Sequence, residues 1–119
     1  MKKLILGLIL LIPFPVFAAT EILAAATDAG TSTSFNVNNN GAATIIIAAA
    51  SGHTASENTD VQISSDGGTT FEDLYQDGSQ IRLTSTNTAV TVYGPGVFRV
   101  VKEATTNATS VVISTESSL

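Results

Sequence analysis

Short apolar clusters recur about every ten residues between Ile22 and Ile113, each separated from the next by turn-forming residues, a spacing that predicts an all-β sandwich or barrel. Ile22-Leu23-Ala24 precedes a break at Asp28-Ala29-Gly30, and Phe35 and Val37 then alternate onto one face. Asn40-Gly41 is a hairpin signal, because both residues tolerate positive φ. The run Ala43 to Ala50 holds three consecutive isoleucines and fits a central strand buried on both faces, although its alanines leave a helical start open. Asp60 to Ser64 alternates, with Val61 and Ile63 inward. Ser65 to Thr69 is a turn, and Thr70 to Tyr75 returns through a bulge or short helical turn. After the turn Gln76–Ser79, Ile81 and Leu83 face inward, and Val90 and Val92 repeat the pattern. Gly94-Pro95-Gly96 is a turn with proline pre-set at its second position. Val97–Lys102 is the longest strand candidate, and Ser110–Ser114 closes the domain. The reading is an antiparallel β-sandwich of seven to nine strands, with jelly-roll or immunoglobulin-like connectivity.

Residues 1–18 stand outside that pattern and read as a signal peptide. Lys2 and Lys3 precede an unbroken apolar run from Leu4 to Ile12, and Val16-Phe17-Ala18 supplies the small-residue ending cut between Ala18 and Ala19. The run is far shorter than the roughly 20 residues needed to span a bilayer, so membrane anchoring is expected only if the leader stays uncleaved. The expected product is a single domain, 19–119, exported to the periplasm, the medium or a virion surface. The short basic start leans towards a bacterium or a bacterial virus.

More than a third of that domain is Thr, Ser or Asn, which suits the exposed faces of a sheet. Its charges are Arg82, Arg99 and Lys102 against ten carboxylates, which offers nucleic-acid phosphates no basic footprint. The chain has no cysteine, which excludes disulfides, thiol chemistry and thiolate metal sites. A domain this small gains a modest margin from burial alone, so self-association is an attractive supplement.

Little of the chain suggests catalysis. Asp60, Asp66 and Asp77 are calcium candidates, since calcium takes six to eight oxygen ligands, but Asp66 and Asp77 precede glycine, where turn formation accounts for them. Glu72 and Asp73 have the residue types of a glycosidase pair without an aromatic cleft. His53, the only histidine, sits in a polar stretch and reads as exposed and idle. The phenylalanines read as core, and Tyr75 and Tyr93 as core or rim. No phosphate loop, dinucleotide fingerprint or zinc-protease motif is present, and no cofactor and no enzyme activity are expected.

Ser64-Ser65-Asp66-Gly67-Gly68-Thr69-Thr70-Phe71 resembles the Asp-box hairpin of sialidase-type propellers, which implies a turn closed on its own aspartate. A wider resemblance joins Asp60 to Leu74 (DVQISSDGGTTFEDL) and Tyr93 to Lys102 (YGPGVFRVVK) to small β-sandwich proteins of bacteriophage virions. It implies a structural or displayed subunit whose partners are copies of itself or other structural subunits, with structural turns at Asp66, Gly67, Gly68, Gly94, Pro95 and Gly96. Within this reading Ala43–Ala50 and Val97–Lys102 are strands left for pairing with another chain, and Ala19–Ala26 is a strand for exchange between subunits. The alternative is a carbohydrate- or receptor-binding module using Ser51–Asn58, Gln76–Ser79 and Thr105–Thr109, around Tyr75.

Overall fold

Two antiparallel sheets enclose a single core in the computed structural model, which describes residues 19–48 and 52–116. Residues 1–18, read as a signal peptide, and residues 49 and 50 of the isoleucine-containing run lie outside the described residues.

The first sheet is built from β1 (Ala19–Ala26), β4 (Ala42–Ile47), β10 (Ala89–Tyr93) and β12 (Thr109–Glu116), in the order β1-β12-β4-β10. Along β4, Ala43, Ile45 and Ile47 are buried while Ala42, Thr44 and Ile46 are half-buried on the outer face. The three isoleucines therefore alternate rather than being buried on both faces. The second sheet centres on β11 (Gly96–Lys102) and β5 (Thr59–Ser64). Beyond β11 lie β2 (Gly30–Thr31) and β3 (Phe35–Val37), and beyond β5 lie β6 (Glu72–Asp73) and β9 (Arg82–Leu83). A small hairpin of β7 (Tyr75–Gln76) and β8 (Ser79–Gln80) interrupts that last edge. Around it the chain stays tied to β5, since Leu74 N–H donates to Val61 O at 2.9 Å and Val61 N–H to Ile81 O at 3.1 Å.

The twelve strand segments among the described residues exceed the expected seven to nine because both outer edges of the second sheet are broken in two and the β7–β8 hairpin adds a further pair. There is no helix among the described residues, so the helical start left open for the isoleucine run is not realised. The core joins Ile45, Val92, Val111 and Ile113 of the first sheet to Val61, Leu83, Phe98 and Val100 of the second. Phe35 stacks on Phe98 with ring centroids 6.0 Å apart. Phe71 is corrected: it lies outside the core, under the Arg99 guanidinium, whose carbon is 4.1 Å from the ring centroid.

A second correction concerns the strands expected at free edges. β4 lies between β10 and β12, and β11 lies between β5 and the β2 and β3 segments, so both are paired on both sides. The edges of the first sheet are β1 and β10.

Gly94 is held by close approach. A Cβ there would fall on the Asn38 carbonyl oxygen and stand 2.7 Å from its carbon, while the Gly94 N–H donates to Gly41 O at 3.0 Å. The Gly94–Pro95 peptide is cis.

Candidate functional site

The Asp66 turn is closed on itself. Asp66 Oδ1 accepts from the N–H of Thr69 at 3.0 Å, the N–H of Thr70 at 2.8 Å and the Ser64 hydroxyl at 2.9 Å. Its Oδ2 accepts from the Thr70 hydroxyl at 2.7 Å, and the Gly68 N–H donates to Ser64 Oγ at 2.8 Å. Gly67 and Gly68 have φ of 79° and 109°, a conformation that favours glycine. The hydrogen bonds from Thr70 and Ser64 hold the Asp66 carboxyl well below the usual carboxylate range. An acceptor used this fully is a turn closure rather than a free cation ligand. Asp66→Ala is expected to lower the melting temperature and speed amide exchange at Thr69 and Thr70, with Asp66→Asn milder; exchange no faster than in the parent would refute this.

The other calcium candidates sit elsewhere. Asp60, on β5, has Oδ1 2.9 Å from Arg82 Nε, a charge contact in which the N–H is not aimed for a hydrogen bond. Asp77 is at the tip of the β7–β8 hairpin with φ 55°. Among the described residues no three His, Asp or Glu side chains come together as a metal site. Glu72 and Asp73 are adjacent on exposed β6, and Asp73 Oδ1 accepts from Gln62 Nε2 at 3.1 Å.

His53 is corrected. It is 5 % exposed, and its Nε2 lies 2.7 Å from the hydroxyl of fully buried Thr59. The segment around it is pinned by Glu57, which accepts from the N–H of Thr54 at 2.8 Å and the N–H of Thr106 at 2.8 Å. Those bonds, the Thr54 one first, hold the Glu57 carboxyl down at about 2. Burial lowers the His53 pKa, against the pull of Glu57 and Glu103. A histidine depressed in the folded state adds stability above its ordinary value near 6.5, and that stability fades as pH falls towards the folded value. Denaturant midpoints are thus expected to drop between pH 7 and 5, and His53→Gln should flatten this drop; an unchanged slope would refute the assignment. A further loss from Glu57 belongs below its ordinary value of 4.5.

Lys102 is the residue that sequence reasoning passed over. It is 1 % exposed, and its Nζ donates to Asp28 O at 2.6 Å, Ala26 O at 3.0 Å, Glu103 O at 3.3 Å and Thr105 Oγ1 at 3.3 Å. Burial lowers its pKa, and the charges of Asp28 and Glu57 oppose that. Its neighbourhood joins residues 52–58 to Thr105–Thr109, where Asn107 Nδ2 also donates to Gly52 O at 3.3 Å. Among the described residues no hydrogen bond links either stretch to Gln76–Ser79, the third loop of the binding-module reading.

The open edge of β10 is the feature that can engage another molecule. In its ladder with β4, Thr88 O accepts from Ile47 N–H at 3.0 Å and Gly94 N–H donates to Gly41 O at 3.0 Å. Antiparallel alternation then gives Val90 and Val92 the bonds to β4 and turns the N–H and C=O of Ala89, Thr91 and Tyr93 away from it. No strand pairs with that side among the described residues. A groove of about 120 Å³ runs beside the edge. Ile63, Val92 and Phe98 line it with Thr91 and Tyr93, and Leu74, Gln76 and Ile81 complete it, with no charged residue. Tyr93 is 67 % exposed and Tyr75 59 % exposed, so of the core or rim placement expected for both the core is ruled out.

Fold and edge together define an all-β protein of paired antiparallel sheets with one regular strand left open. No family model, curated protein or solved structure matches the chain.

Proposed function

We propose that this protein is an exported, non-enzymatic β-sandwich subunit that self-associates in a virion, a surface layer or an extracellular fibre. The observation that carries the proposal is β10: five residues in regular register, uncharged and without proline, with no strand among the described residues paired to their outer backbone groups. Such edges are ordinarily blunted by charge, proline or a bulge, because they are templates for another chain. The leader-like residues 1–18 and the likeness to small phage virion proteins favour the same reading. The acidic balance of residues 19–119 argues against a nucleic-acid partner.

Sedimentation velocity of the exported protein, expressed from the full chain, tests this across a wide concentration range. Oligomers that grow with concentration are expected; a strict monomer at several hundred micromolar would overturn the proposal. Mass spectrometry of the same material should find a terminus at Ala19.

Exposure of Tyr75 and Tyr93 favours a second reading, a carbohydrate- or receptor-binding module. Tyr93 beside Gln76 and Thr91 offers a ring face with polar groups near it. A glycan array on which the protein binds, and its Tyr93→Ala variant does not, would favour this second reading; silence with and without calcium would remove it.

A further inference from the structure

We propose that the partner of the β10 edge is β10 of a second copy, paired antiparallel about a twofold axis at Thr91, so that the first sheets of two subunits join into one. This rests on the self-association proposed above and names its surface. The unpaired N–H and C=O groups belong to Ala89, Thr91 and Tyr93, and a twofold at Thr91 brings the same groups of a second strand opposite them.

Side chains follow from the pairing, because directly opposed residues share a face of the sheet. Ala89 of one copy meets Tyr93 of the other on the outer face, giving each exposed tyrosine ring an apolar neighbour. Val90 of one copy meets Val92 of the other on the inner face, where Val92 lines the apolar groove beside Ile63 and Phe98. An edge that supplies main-chain bonds next to a pocket for alternate side chains is the arrangement by which sheets accept an added strand. The sequence Ala-Val-Thr-Val-Tyr presents valine on both sides of its centre, so one strand serves as edge and as guest.

Charge decides between a second copy and most other partners. Residues 19–119 carry ten carboxylates against three cations, yet β10 and the groove lining carry none of either. Two acidic copies can meet there without opposing like charges. The other edge fits less well: β1 has two register shifts along β12, and its Ile22 carbonyl is already taken by Thr33 N–H at 3.3 Å.

The absence of cysteine makes the test direct, since one introduced cysteine is the only thiol. Thr91→Cys places two thiols at a pair whose Cα atoms would stand about 5.5 Å apart, within the range a disulfide spans. The variant and an Ala25→Cys variant on β1 are oxidised, or treated with a short bismaleimide, above the concentration at which the parent associates. Most Thr91→Cys protein should become covalent dimer, with Ala25→Cys remaining near background. Association of the parent without a Thr91→Cys link, or a mixed Thr91→Cys/Ala25→Cys link exceeding the Thr91→Cys one, would overturn the twofold and move the contact to β1. A parent that never associates defeats the broader reading and this inference with it, which separates the two failures. Thr91→Lys, which leaves the β4 ladder bonds in place, should raise the concentration for half-association at least tenfold; an unchanged value would count against the β10 contact.

Discussion

Gly94→Ala is expected to cost about 3 kcal/mol or more, the scale of a side chain forced into occupied space with no room to relax. The added Cβ would clash with the Asn38 carbonyl oxygen and crowd the Val37 carbonyl oxygen at 2.7 Å. These are backbone atoms, so no rotamer change relieves the clash. Relief requires moving residues 37–41, and that breaks the Gly94 N–H to Gly41 O bond at the start of the β10–β4 ladder. It also disturbs Val37 opposite Gly96 in the second sheet. Gly78→Ala is the fitting comparison, because Gly78 has φ 83° with nothing within 4 Å of an added Cβ. Backbone conformation alone should cost about 1 kcal/mol there. Urea unfolding of the parent and both variants checks the contrast, and equal losses would show that the approach of Asn38 to Gly94 is not limiting.

Lys102→Met should be the second large loss, at about 2–4 kcal/mol. Two effects oppose each other. Removing a buried cation relieves its desolvation, and a well-packed apolar isostere of a buried charge is sometimes neutral or better. Here, however, the acceptors include the main-chain carbonyls of Ala26, Asp28 and Glu103, which stay when the ammonium goes. Ala26 O keeps the Thr105 hydroxyl as a donor at 3.4 Å, but the part-buried Asp28 and Glu103 carbonyls lose the ammonium. A buried acceptor left without a donor costs about 1–3 kcal/mol, so the loss of donors outweighs the relief. The damage should concentrate where Ala26 and Asp28 connect the first sheet to the second. Faster amide exchange near Thr27 and Thr105, whose N–H donates to Thr27 O at 2.8 Å, would locate it. A variant as stable as the parent would mean that methionine packing compensates.

The sequence made some of this legible and hid the rest for physical reasons. Alternation in β5 and β10 correctly placed Val61 and Val92 inward, since a period of two is written locally. The Asp66 turn was legible for the same reason, because its acceptors and donors lie within six residues. Lys102 carried a readable signal that its charge obscured: Phe98, Val100 and Lys102 share one parity along β11, and all three are buried. His53 had no such signal. Its burial depends on Glu57 reaching Thr106 across the chain, a contact with no local trace. The open edge was misplaced on β4 and β11 because apolar content marks a strand as central, whereas the short and less apolar β10 was left outside. Tyr75 and Tyr93 were read as core or rim, although Tyr93 shares the parity of exposed Ala89 and Thr91, which rules out the core.

Pairing of β1 with β12 has a consequence for the order of events in making the protein. Ala19 sits opposite Ser114, so the outermost strand of the first sheet finds its partner only after about 95 further residues have been made. β4 likewise waits for β12 on one side and β10 on the other. Contacts this distant in sequence form slowly, because loop closure precedes the interactions that reward it. Were the chain exported unfolded, as proposed, that delay would keep the first sheet from closing before β12 had crossed.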